Sequence, residues 1–155
     1  MELVELQDHS PDTFKREVKQ YVFPSQLAEL TDEQKERLRE WWNPRPGDLM
    51  VIDGMVVDGL KSVNSIQDLE AGGQRIITHA KSHSGDWWNV SHATKDCLPV
   101  LSIGQMIEIL GERIYSIRLA PREWQVNVIF QEEQFKAYTA SDLADALWQA
   151  VKGVL

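Results

Sequence analysis

The last third of the chain constrains the fold most, because its apolar spacing switches from helical to alternating and back again within residues 101–155. Ser102 and Gln105 have the spacing of a capping box, and Ile103, Met106, Ile107 and Leu110 then mark one helical face before Gly111 offers a stop. Tyr115, Ile117 and Leu119 alternate with Ser116 and Arg118. Beyond a turn around Pro121, Trp124, Val126, Val128 and Phe130 alternate with Glu123, Gln125 and Asn127. This spacing predicts two antiparallel strands, with a third over residues 134–139. Ser141 is then expected to cap a helix whose inner face is Leu143, Leu147, Ala150, Val151 and Val154. The class is therefore α+β: a C-terminal α-β-β-β-α unit whose two helices cover the face carrying Trp124, Val126, Val128 and Phe130.

Residues 1–48 read as an N-terminal helical arm, and residues 49–155 as the α+β domain on which it packs to make one unit. After a short strand over 2–6, Ser10 and Pro11 form a helix entrance, with Phe14, Val18 and Tyr21 or Val22 along one face and Pro24 as the stop. Thr31 and Gln34 repeat the capping-box spacing ahead of a charged helix over 32–42, whose apolar contacts are Leu38, Trp41 and Trp42. Residues 49–52 and 55–57 are β-prone runs on either side of Asp53-Gly54, the spacing of a β-hairpin, and Asp58-Gly59 marks a second turn. The Asp-x-Asp-x-Asp-Gly spacing of a calcium loop is missing, so both aspartates read as turn residues. Residues 65–70 are weakly helical, 75–78 suggest a strand, and 80–99 read as a long, polar, tryptophan-bearing loop.

The net charge of -8 argues against non-specific binding to nucleic acid or to an anionic membrane, both of which need clustered Lys and Arg, and it suits a basic partner. No apolar run approaches the roughly 18 residues of a membrane span, and the polar start lacks the pattern of a signal peptide, so a cytoplasmic location is expected. Cys97 is the single cysteine and fits a reducing compartment.

Chemistry-bearing residues concentrate in the polar stretch. His79, His83, His92 and Cys97 are residue types that ligate zinc, and a metal-dependent enzyme using the His79/His83/His92 cluster is one reading. Their spacing matches no zinc pattern, and Ala80 stands where the helical metalloprotease motif has Glu. Cys97 precedes an apolar run and reads as a buried thiol rather than a nucleophile. No phosphate-binding glycine loop or nucleophile elbow is present, so no catalytic residue is assigned and no cofactor is expected. The adjacent pairs Trp41-Trp42 and Trp87-Trp88 are the candidate binding residues. Neighbouring side chains diverge on a helix or strand, so each pair either bridges two packed layers or leaves a ring for a partner. Binding of a macromolecular partner, with a protein foremost, ranks first. A small-molecule or nucleotide binder using the Trp-bearing loop comes second, and the metal enzyme third.

The segments LPVLSIGQMIEIL (98–110), WQVNVIF (124–130) and FKAYTASDLADALWQAVKGVL (135–155) resemble short uncharacterised phage and prophage proteins of Gram-positive bacteria. The C-terminal part is also similar to the small phage domain called the ABA sandwich. The resemblance implies an infected or lysogenic bacterial cytoplasm and an accessory protein that modulates host or defence machinery; it implies no catalytic position. The helix and strand order further resembles a double-stranded RNA-binding domain. Asp142 and Asp145 lie where such a domain would place phosphate-binding lysines, so RNA binding is not expected.

Overall fold

The computed structural model describes residues 18–54 and 60–155, without the side chain of Glu132. The described elements are α1 (Pro24–Leu27), α2 (Asp32–Trp41), β1 (Leu49–Ile52), β2 (Lys61–Ser62), β3 (Ser65–Asp68), β4 (Gln74–Lys81), β5 (Trp87–Ala93), β6 (Cys97–Pro99), α3 (Ile103–Leu110), β7 (Ile114–Leu119), β8 (Trp124–Ile129), β9 (Phe135–Ala140) and α4 (Leu143–Val154). The fold is α+β. Its described strands form three antiparallel sheets, ordered β2-β1-β6, β3-β4-β5 and β7-β8-β9.

The C-terminal unit follows from its spacing. Ser102 Oγ accepts from the Gln105 N–H at 3.1 Å while Gln105 Oε1 accepts from the Ser102 N–H at 2.9 Å, and Gly111, at φ 52°, ends α3. Val126 and Val128 of β8 are fully buried beneath α4, which lies across β8 and β9 and also packs on α3. Two details differ from the sequence pattern. A bulge between Ile114 and Ser116 puts Ile114 opposite Val128 and leaves Tyr115 exposed, edge-on to Phe135 at 5.3 Å. The buried face of α4 is also wider than Leu143, Leu147, Ala150, Val151 and Val154: it includes Ala144, Ala146 and Trp148, and Asp142 rather than Ser141 is the N-cap.

The described part of the arm packs on this unit. Residues 18–22 are not helical. Val22 donates to the Leu101 carbonyl and Ile103 to the Gln20 carbonyl, so Tyr21 bridges Ser102 in an extended segment, and Pro24 opens a helical turn rather than closing a helix. Residues 2–6 and the Ser10-Pro11 entrance lie outside the described residues. Thr31 and Gln34 cap α2 reciprocally, and its Leu38 is fully buried.

The apolar run of β1 is explained by burial on both faces. Val51 and its partner Leu98 point into the main core with Met106, Leu147 and Trp148, whereas Met50 and Cys97 point into a second cluster with Trp42, Val63 and Ile76. The expected partner of β1 at 55–57 lies outside the described residues, as does the Asp58-Gly59 turn. Residues 65–68 form a strand, not a helix, and the expected polar loop over 80–99 is mostly strand. The reason is the same for both: β3 and β5 are edge strands with little buried surface, so neither shows the apolar alternation of a half-buried strand.

Candidate functional site

β4 and β5 pair over seven residues, from Arg75 opposite Ala93 to Lys81 opposite Trp87, and the turn between them is tightly bonded. Ser82 donates its N–H to the Asp86 carbonyl at 2.8 Å, Ser82 Oγ accepts from the Asp86 N–H at 3.1 Å, and Gly85 takes a positive φ of 92°. The two tryptophans therefore project from an ordered hairpin.

Alternation along β5 sends Trp87 and Trp88 to opposite faces, and both are exposed, at 63% and 49%. Trp87 shares its face with His79, 6.3 Å between ring centroids, and with Lys81, whose ammonium lies 5.3 Å from the indole centroid. Trp88 shares the opposite face with Val90 and His92, beyond the end of the second cluster.

β5 is also a free sheet edge among the described strands. On the far side of β4, Asn64 donates its N–H to the Ile77 carbonyl at 2.8 Å. A strand residue turns both main-chain groups to one side, so Ile77 and its partner Ser91 form a non-hydrogen-bonded pair across β4 and β5. The main-chain groups of Ser91, and by alternation those of Trp87, Asn89 and Ala93, then point away from the sheet. Consistent with this, the Ser91 carbonyl accepts from the Arg75 side chain at 3.3 Å. The strand has no Lys, Arg, Asp, Glu or Pro, the residues that usually block an edge.

The histidines do not converge. His79 and His92 are on opposite faces of β4 and β5, and His83 is in the exposed turn; the His92 ring bonds Thr78 Oγ1 at 2.9 Å through Nε2. Among the described residues no group of three His, Cys, Asp or Glu side chains is placed to hold one metal ion. Cys97 is fully buried, its Sγ donates to the Ala93 carbonyl at 3.4 Å, and burial, with Asp96 adding to it, pushes the thiol up to about 11. Such a thiol is protonated at neutral pH and is a poor nucleophile.

The Trp41-Trp42 pair spans two layers. Trp41 packs against both apolar clusters, while Trp42 is buried in the second and donates Nε1 to Asp48 Oδ2 at 3.0 Å. Beside them, Tyr21, Trp41, Arg45 and Glu108 line a surface hollow of about 240 Å³. Comparison with protein-family models, curated protein sequences and solved structures gives no match. Among the described residues no helix is long and apolar enough to cross a membrane.

Proposed function

We propose that this protein acts by binding another protein, with a strand of the partner adding to the free edge of β5. The observation that carries the reading is an uncharged, proline-free edge with an exposed tryptophan on each face. An added strand would bond the outward main-chain groups of Trp87, Asn89 and Ser91, and its alternate side chains would cover the two rings. Tryptophan suits that role because a rigid ring contributes a large contact area at low entropic cost. The net charge of -8 favours a basic partner and opposes edge pairing between two copies of this chain. The phage resemblance supports a host or defence protein as that partner.

Affinity capture from a bacterial host followed by mass spectrometry identifies the partner, and three variants test the geometry. Trp87→Ala and Trp88→Ala should leave the melting temperature unchanged, and at least one should weaken the complex by about 2 kcal/mol or more. Asn89→Pro removes an N–H that points away from β4, so it should keep the fold and abolish binding. Full binding by Asn89→Pro would exclude strand addition, and full binding by both tryptophan variants would move the interface elsewhere.

A further inference from the structure

Two cations on β4 reach across β5 toward its outer edge. Alternation along the β4-β5 register places Arg75, His79 and Lys81 on the face of the sheet that carries Trp87, Asn89 and Ser91. Arg75 donates from Nε to Ser91 Oγ at 2.6 Å and from an Nη to the Ser91 carbonyl at 3.3 Å, so its guanidinium is held at the rim from which the Ser91 main chain points outward. Lys81 stands opposite Trp87, and its ammonium is 5.3 Å from the centroid of that indole. Neither cation makes an ion pair among the described residues.

No carboxylate offsets them within the sheet. Asp68 is the one Asp or Glu in β3, β4 and β5, and it lies opposite Gln74 on the other face. One side of the β5 edge is therefore positive on a chain whose net charge is -8, while the other side presents Trp88 and Val90. Ser91 takes two of the five N–H donors of Arg75, and its carbonyl oxygen keeps a second lone pair for an added strand.

Resting on the reading of strand addition above, we infer that the strand received at β5 alternates acidic and apolar residues, with carboxylates on the face of Arg75 and Lys81 and aliphatic side chains on the face of Trp88 and Val90. Residues opposite one another in a sheet share a face, so the acidic positions of the partner are those beside Ser91 and Trp87. Beside Ser91, a carboxylate meets the free N–H groups of the Arg75 guanidinium in a charge-assisted hydrogen bond. Beside Trp87, the partner backbone is two strand spacings, about 10 Å, from that of Lys81, a gap that extended glutamate and lysine side chains span. The net charge of the chain steers the approach of a whole partner, whereas Arg75 and Lys81 act at contact. A basic protein that contributes an acidic strand satisfies both.

Tryptophan fluorescence titration of the full chain with three synthetic peptides tests the pattern: alternating Glu and Val, alternating Lys and Val, and alternating Ser and Val. The net charge of -8 by itself draws the Lys peptide most strongly, so a preference for the Glu peptide can come only from the cations at the edge. At low salt the Glu peptide should bind about tenfold more tightly than either of the others, with the margin shrinking as salt is added. Arg75→Gln and Lys81→Gln should keep the fold by circular dichroism, and each should narrow the margin. Asn89→Pro should abolish binding of the Glu peptide. If Asn89→Pro abolishes peptide binding but the Lys or Ser peptide binds wild type as tightly as the Glu peptide does, strand addition stands and the acidic pattern is overturned. If Asn89→Pro binds the Glu peptide as wild type does, strand addition itself falls and the pattern falls with it. The pattern is also overturned if the Glu peptide does not bind, or if its preference survives in the variant lacking both cations.

Discussion

Gly153 is the residue whose lack of a side chain matters most directly to the packing. Gly153 lies in the last turn of α4, and in a helix replacing Gly with Ala ordinarily gains up to about 1 kcal/mol, because Ala has less backbone freedom to lose on folding. At this position the added Cβ would run into the Tyr138 hydroxyl, and overpacking of this kind typically costs about 1–3 kcal/mol. Gly153→Ala should therefore lower stability in chemical denaturation. With the hydroxyl removed, the nearest atoms to that Cβ are Tyr138 Cζ at 3.4 Å and Phe130 Cζ at 3.6 Å, close to ordinary contact distance. In the Tyr138→Phe background the same substitution should be neutral or stabilising. A double-mutant cycle isolates the coupling, and equal effects in both backgrounds would show that hydroxyl and glycine do not meet as described.

At the scale of elements, one carboxylate clamps α2 to the turn after β1. Asp53, in the turn after β1, accepts from Lys35 at 2.9 Å and from Arg39 at 2.8 Å, two basic residues one helical turn apart on α2. Partial burial tends to raise its pKa, but the hydrogen bonds from Lys35 and Arg39 outweigh it and hold the carboxyl below its usual range. A depressed carboxylate stabilises the fold above the ordinary Asp range, and that contribution is lost as pH falls through the folded pKa. Asp53→Asn should thus cost about 1 kcal/mol at neutral pH, with the gap to wild type closing in acid, as melts across pH would show. A gap independent of pH would assign the loss to packing instead. The sequence signalled a turn at Asp53-Gly54 but not this clamp, because Lys35 and Arg39 reach the aspartate only through the fold. The contrast is the same elsewhere. The C-terminal unit was legible because β8 buries one face and α3 has its cap written in sequence, whereas β5 was obscured by exposure on both faces. The Trp87-Trp88 pair was visible as a pair; that it sits on an edge free among the described strands was not. Tyr138 and Gly153 belong to separate segments that only folding brings together.

At the scale of the whole molecule, two apolar clusters share one thin partition. The β2-β1-β6 sheet has Val51 and Leu98 in the main core and Met50 and Cys97 in the second, while Trp41 packs against both. Neither cluster can lose its packing without exposing one face of β1 and β6, so the two should unfold together. Met50→Ala and Leu147→Ala remove fully buried side chains from the second and the main cluster, respectively, and each should cost about 2–5 kcal/mol. Each should also shift the entire transition as one, with far-ultraviolet circular dichroism and tryptophan fluorescence coinciding, because Trp42 and Trp148 report from opposite sides of the partition. The decisive variant is Met50→Ala. If the second cluster were only appended to the main core, this substitution would produce an early fluorescence transition and leave the helical signal of α3 and α4 melting at the wild-type temperature. Coincident transitions in Met50→Ala would instead show that the strands carrying the β5 edge are held in place by the same cooperative core on which α3 and α4 pack.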